Sequence, residues 1–357
     1  MAKRPALKAP YPYFGGKATI AAEVWARLGN VDNYVEPFAG SLAVLLMRPH
    51  APKHETIGDL DSMVANFWRA TQYDPEAVAA HADNPVNEVD LHARHRWLVF
   101  SEDAIAFRKR MRTDPDYYDA KIAGWWCWGA SCWIGSGWCA VGAEEEAGEE
   151  RSLWQQVPYL DCHGRGVNTL PNGQAALSQK RPSVFRPKGV FCGPTPSCAD
   201  RRAYLLEWFG RLRDRLRTVR VCCGDWQRIC SSPTTLTQLG LTGVFLDPPY
   251  SAAADREKTI YAHESATIAH DVRTWCLEYG GDRQIRACLA GYAGEGHEAL
   301  EREGWRVFAW KAHGGYGNRS AKGQANARKE RLWFSPHCLF CRDLFAAESN
   351  LVQETTP

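Results

Sequence analysis

An α/β protein built on an open parallel sheet is what this sequence predicts, and three stretches predict it. Val244-Phe245-Leu246 runs straight into Asp247-Pro248-Pro249-Tyr250, so a buried strand must stop abruptly with its last side chains facing a cleft. Tyr34-Val35-Glu36-Pro37-Phe38-Ala39-Gly40-Ser41 reads as a short strand entering a turn of small residues, and the apolar Leu42 to Met47 follows it. Thr56-Ile57-Gly58-Asp59-Leu60-Asp61 is a second strand ending in acids about 20 residues downstream, where such folds bind ribose hydroxyls. In open parallel sheets ligands bind just outside the carboxyl ends of the strands, which places Asp247 at a site.

Composition narrows the class. A chain of 357 residues can bury a full core and divides into one large domain with an inserted or second one. Its 43 basic and 41 acidic residues nearly balance, so any nucleic-acid contact must come from local patches. No apolar run is long enough to cross a membrane, and Met1 to Pro10 is basic without the apolar core of a signal peptide. These features predict a soluble cytoplasmic protein with no membrane partner and no obligate protein partner. The 13 cysteines then read as reduced core residues. Cys127, Cys132, Cys139, Cys162, His163, Cys192 and Cys198 offer zinc donors, but no Cys-x-x-Cys pair occurs among them; Cys338 and Cys341 have that spacing without a partner pair. No metal is expected.

The remaining elements follow in order. Tyr11-Pro12-Tyr13-Phe14-Gly15-Gly16-Lys17 precedes a helix carrying Ile20, Val24 and Leu28 that ends near Gly29-Asn30. Asp61 is placed to cap a helix over 62–70. After Asp200, another expected cap, Leu205, Trp208, Phe209, Leu212 and Leu216 recur at helical spacing, with Arg201, Arg202, Arg211, Arg213, Arg215 and Arg217 on the other face. That face suits either phosphate contact or plain solvation. Thr218 to Cys223 is a strand leading into Gly224-Asp225-Trp226. A helix with Ile268, Val272, Trp275 and Tyr279 stops at Gly280-Gly281, and strands follow at Arg286 to Leu289, Trp305 to Trp310 and Arg331 to Phe334.

Asp247-Pro248-Pro249-Tyr250 resembles the signature of amino-methyltransferases that use S-adenosylmethionine, most often on N6 of adenine in DNA. Four further segments resemble that family in its order. The aromatic residue, spacer and Gly-Gly-Lys of Tyr13 to Lys17 are similar to the N-terminal motif of Dam-like enzymes, with Tyr13 and Lys17 at cofactor-touching positions. Glu36-Pro37-Phe38-Ala39-Gly40 resembles the first cofactor motif, although Leu42 stands where a second glycine is usual and should narrow the cleft. Asp59 matches the family acid, and Asp225 the acid near the cofactor adenine. The resemblance covers the first 70 residues and those from about Asp200 to Pro336.

The resemblance implies a seven-stranded Rossmann-like S-adenosylmethionine methyltransferase sheet with an inserted target-recognition domain. It assigns 1–70 and 200–345 to the catalytic core, 71–199 to target recognition and 346–357 to a tail. The implied cofactor residues are Tyr13, Lys17, Glu36, Phe38, Gly40, Asp59, Asp225 and Asp247. The implied catalytic residues are Asp247, Pro248, Pro249 and Tyr250. An adenine of double-stranded DNA would be flipped onto Tyr250, with Asp247 and the Pro248 carbonyl accepting its amine hydrogens. Transfer to cytosine N4 or to RNA, and a non-catalytic DNA-binding relative, stay open as alternatives. A phage, prophage or restriction-modification setting is compatible with a lone enzyme of this type.

Between the two core halves the composition changes. The chain to Arg112 reads as charged helices; Gly124-Trp125-Trp126-Cys127-Trp128 through Trp138-Cys139 could either stack on bases or fill a core, and Glu144 to Glu150 reads as a solvated loop. A glycine-rich basic loop between Trp310 and Arg331 offers Arg319, Lys322 and Arg328 as DNA phosphate contacts.

Overall fold

A computed structural model describes residues 6–13, 16–133, 138–139, 168–169, 175–176, 198–249, 267–310 and 329–340. One sheet organises it. Its strands in chain order are β1 (Asn33–Glu36), β2 (His54–Asp59), β3 (Val219–Cys223), β4 (Thr242–Leu246), β5 (Ile285–Tyr292), β6 (Arg306–Ala309) and β7 (Glu330–Phe334). Across the sheet they lie in the order β3-β2-β1-β4-β5-β7-β6. The pairings β3-β2, β2-β1, β1-β4 and β4-β5 are parallel, and β7 runs antiparallel to both of its neighbours, β5 and β6. This is the seven-stranded, mostly parallel Rossmann-like sheet that the resemblance implies, and its strand order reverses between β1 and β4. A crevice at the carboxyl ends of those two strands follows from that reversal.

Alternation along the strands distributes the core over both faces. Phe245 points into one layer of apolar side chains while Val244 and Leu246 point into the other; Phe334 and Trp333 divide the same way. All three residues of the β4 run are fully buried, each contributing about 1.5–3 kcal/mol by leaving water. The first layer is covered by α1 (Ala21–Leu28), α2 (Ala43–Leu46), α3 (Ser62–Tyr73), α4 (Pro75–Ala82), α5 (Glu88–Phe100), α6 (Glu102–Thr113), α7 (Ala120–Cys132) and α8 (Cys198–Leu216). The second is covered by α9 (Gln227–Cys230), α10 (Pro233–Leu236), α11 (Ile268–Tyr279) and α12 (Ala299–Arg302).

Local chemistry explains the helix boundaries. α1 ends at Gly29, whose φ of 68° suits glycine and whose amide donates to the Trp25 carbonyl. Asp61 caps α3 as expected, accepting from the Met63 amide at 2.8 Å. Asp74, Asn87, Ser101 and Asp119 cap α4, α5, α6 and α7 in the same way. Asp200 is not a cap: α8 begins at Cys198, which puts this residue within the first turn.

The tryptophan cluster lies in and just after α7, and its enclosed members are core residues rather than stacking surfaces. Trp126, Trp128 and Trp133 are buried, Trp126 meeting Tyr11 edge-on at 4.8 Å between ring centroids. Gly124 lets α7 approach α4 so closely that a Cβ there would sit 2.3 Å from that of His81. Cys127, Cys132 and Cys139 are buried and in no disulfide among the described residues, and burial pushes the thiols of Cys127 and Cys139 well above the usual range. The buried side chains of α4 to α7 join the same apolar layer as α1 and α3. A two-stranded ribbon pairs 168–169 with 175–176; the acidic run 144–150 lies outside the described residues.

Three arginines of the polar face of α8, Arg201, Arg213 and Arg215, are engaged by carboxylates. Arg215 donates to both oxygens of the buried Glu55 at 2.6 and 2.8 Å, and Arg48 meets the same carboxylate at 3.1 Å. Arg201 pairs with Asp83 at 2.7 Å, and Arg213 with Asp214 and Glu76. No helix among the described residues is long and apolar enough to cross a membrane.

Candidate active site

Glu36 ends β1, Asp59 ends β2, and Asp247 directly follows β4, so three acids reach the carboxyl edge of the sheet beside its switch point. They line one cleft that opens to solvent. Tyr13, Lys17, Phe38, Gly40, Asp225 and Pro249 line the same cavity. All eight residues expected to bind cofactor are therefore brought together. Pro248 is buried and does not line the cavity, while Tyr250 lies outside the described residues.

Lys17 joins the first segment of the chain to the Asp-Pro-Pro turn. Its ammonium Nζ lies 2.9 Å from Asp247 Oδ1, with the lysine side chain 4% exposed and the aspartate 21%. Burial opposes the lysine's charge, yet the Asp247 and Glu330 carboxylates overcome that penalty and hold its pKa above the ordinary lysine value.

Gly40 forms the floor of the cofactor turn and is held from four directions. Its amide donates to Asp59 Oδ2 at 3.0 Å, and its carbonyl accepts from the Tyr11 hydroxyl at 3.0 Å and the Trp68 indole at 2.9 Å. The Tyr13 ring covers its α-carbon, where a Cβ would come within 2.5 Å of that ring. With φ at 43° as well, only glycine fits without strain. Leu42 corrects a sequence expectation. Its side chain is fully buried in the core and does not line the cavity, so it does not narrow the cleft. The departure from glycine falls on the backbone instead: Leu42 takes φ 51° and ψ 31°, a left-handed conformation costing roughly 1–2 kcal/mol.

Electrostatics in the cavity are set by burial. Glu36, 3% exposed, accepts at Oε2 from the Tyr34 hydroxyl at 2.9 Å and the Leu45 amide at 3.2 Å. Burial raises its carboxyl to about 8 despite these bonds, with Asp247 and Glu55 adding repulsion. Asp59 accepts from the Gly40 and Asp61 amides; burial and then the Asp61 charge raise it to about 7. Asp225 is exposed and accepts from the Gln227 amide at 2.8 Å, holding the turn that presents Trp226. The buried Trp226 ring lies 6.0 Å from that of Phe38, tilted by 32°.

Comparison with known families decides the class. Residues 13–104 match the family model described as D12 class N6 adenine-specific DNA methyltransferase. This match covers about a quarter of the chain and supports its reading as an adenine-specific DNA methyltransferase acting on DNA. A search of curated proteins returned no match. The matched span holds Tyr13 and Lys17, the Gly40 turn and Asp59, but stops well before Asp247; in the methyltransferase the Lys17–Asp247 contact joins the two.

Several cavity residues carried no sequence signal. Leu60 and Ile268 line the methyltransferase cavity, and Tyr11 and Trp68 secure Gly40 from behind. Trp226 was flagged through the motif it shares with Asp225. The expected phosphate contacts Arg319, Lys322 and Arg328 lie outside the described residues.

Proposed function

We propose that the cleft binds S-adenosylmethionine and a flipped adenine side by side, and that Asp247 directs the adenine N6 lone pair at the donor methyl group. The observation that carries this reading is the position of Asp247, paired with Lys17 on the strand next to the Gly40 turn within one cavity.

The lining fits such a donor. Phe38 and Trp226 offer aromatic surface for a flat adenine, Asp59 and Asp225 offer acceptors for hydroxyls, and the bare backbone at Gly40 permits close approach. When bound, S-adenosylmethionine supplies an electrophilic methyl group on a sulfonium centre. The protein's part is orientation and charge. Lys17 favours the ionised form of Asp247, which accepts a hydrogen of the N6 amine and stabilises the positive charge growing on nitrogen. The resemblance assigns the second hydrogen to the carbonyl of Pro248, whose buried residue would have to present it to the cleft, and stacking of the base to Tyr250, which lies outside the described residues. Flipping costs a few kcal/mol of lost pairing, which stacking and these acceptors offset. Sequence choice resides in 71–199, with Arg319, Lys322 and Arg328 contributing phosphate contacts that raise affinity for all sequences alike.

Incubation of the purified chain with duplex DNA and methyl-labelled S-adenosylmethionine, followed by digestion to nucleosides and mass spectrometry, tests this. Label should appear in N6-methyladenine. Label confined to N4-methylcytosine, or to RNA when both polymers are offered, would overturn the substrate assignment.

A further inference from the structure

Charge in the cavity is one-sided. Among the described residues five carboxyl side chains line it, Glu36, Asp59, Asp61, Asp225 and Asp247, against the single ammonium of Lys17. That cation lies on Asp247 at 2.9 Å. Asp59, Asp61 and Asp225 each accept backbone amides that hold the surrounding turns. Glu36 stands apart. It is almost fully enclosed, and both hydrogen bonds it makes among the described residues, from the Tyr34 hydroxyl and the Leu45 amide, end on Oε2. The carboxylates that act on it from other elements already hold cations of their own, Asp247 beyond β4 the Lys17 ammonium and Glu55 of β2 the Arg48 and Arg215 guanidiniums. A buried carboxylate so placed is costly unless a cation comes to it.

We propose that this acid excess, centred on Glu36, makes the cavity select the positively charged methyl donor over the thioether that transfer leaves behind. The inference rests on the cofactor reading above. During transfer the bond from sulfur to methyl breaks, its electron pair stays on sulfur, and a new bond forms from N6 to the methyl carbon. The bound sulfur ligand thereby loses one positive charge, and the methylated amine releases its extra proton to solvent. In the free protein burial keeps Glu36 protonated up to about pH 8. A cation at about 4–6 Å lowers a carboxyl pKa by roughly 1–3 units, so donor binding displaces a proton from Glu36 and formation of the thioether lets one return. Glu36 thus acts as a specificity residue that weakens product binding relative to donor.

Isothermal titration of the full chain with the donor, and separately with the thioether, counts the protons when run in two buffers of different ionisation heat. For the donor we expect release of close to one proton and affinity about tenfold tighter at about pH 7 than at about pH 6; for the thioether we expect little release and less than about threefold change. Glu36→Gln retains an acceptor for the Tyr34 hydroxyl and the Leu45 amide; it should remove the difference in proton release between donor and thioether, leaving only what Asp59, also raised and lining the cavity, gives with either ligand, and bring the two affinities within about threefold. Equal proton release and parallel pH dependence for both ligands in the parent protein would overturn the charge selection while leaving the cofactor reading standing, whether or not the variant folds. Failure of the parent to bind either ligand would overturn the cofactor reading, and the selection with it.

Discussion

Lys17 and Asp247 lie 230 positions apart in the chain, yet the lysine ammonium meets the aspartate carboxylate at 2.9 Å within the cleft. Two motifs that a linear reading treats separately are one electrostatic unit. Lys17→Met should therefore damage catalysis without touching the acceptor itself. We expect methyl transfer to fall by at least about tenfold and the acidic limb of its pH profile to move to higher pH, because the cation no longer favours the ionised carboxylate. An unchanged profile would show that Lys17 does not set the charge of Asp247.

Asp59→Ala removes the acceptor for two amides, those of Gly40 and Asp61. Leaving such groups unpaired costs about 1–3 kcal/mol each, so both melting temperature and donor affinity should drop. Asp59→Asn, which retains one acceptor oxygen, should fall between. Donor titration and thermal melts on both variants check this; loss of stability with unchanged affinity would confine Asp59 to holding the turn.

Glu36 and Asp59 make the ligand-free protein sensitive to pH. Their folded-state carboxyls titrate at about 8 and about 7, above the ordinary carboxyl range of about 4. The native state thus binds these protons more tightly than the unfolded chain does. Their stabilising effect is full below the unfolded range and is lost as pH rises toward about 8. Thermal melts should fall across that window, and Glu36→Gln should flatten the decline. A melting temperature that rises over the same range in the parent, and equally in Glu36→Gln, would contradict this linkage.

Leu42→Gly sets backbone strain against packing. Relief of the left-handed conformation is worth roughly 1–2 kcal/mol, whereas deleting a buried leucine side chain costs roughly 2–5 kcal/mol. The variant should be less stable by denaturant unfolding, with donor affinity not improved, because the leucine side chain lies in the core.

What could be read from the sequence was local chemistry. The proline-stopped β4, the Asp61 cap and the small-residue turn at Gly40 each announce themselves within a few residues. The clamp on the Gly40 carbonyl does not, since Tyr11 and Trp68 stand 29 and 28 residues away and meet only when the sheet layer closes. α7 was ambiguous for another reason. It is enclosed on several sides, so its tryptophans and glycines show no apolar stripe, and a helix that is apolar all round cannot be told by period from a binding segment. Leu42 misled because the family pattern speaks of a missing glycine but not of where the replacing side chain points.

The central claim, that the Asp247 carboxylate drives methyl transfer from within this cleft, is tested most directly by single-turnover transfer rates of the parent and of Asp247→Asn, with donor affinity measured in parallel. Asparagine is the sharper replacement, because Asp247→Ala would strand the buried Lys17 ammonium at a cost of about 3–5 kcal/mol and confuse folding with catalysis. We expect Asp247→Asn to stay folded and to bind the donor within about threefold of the parent, while transfer to adenine slows by about a hundredfold or more. A folded Asp247→Asn variant that methylates adenine at a rate within about tenfold of the parent would contradict the assignment.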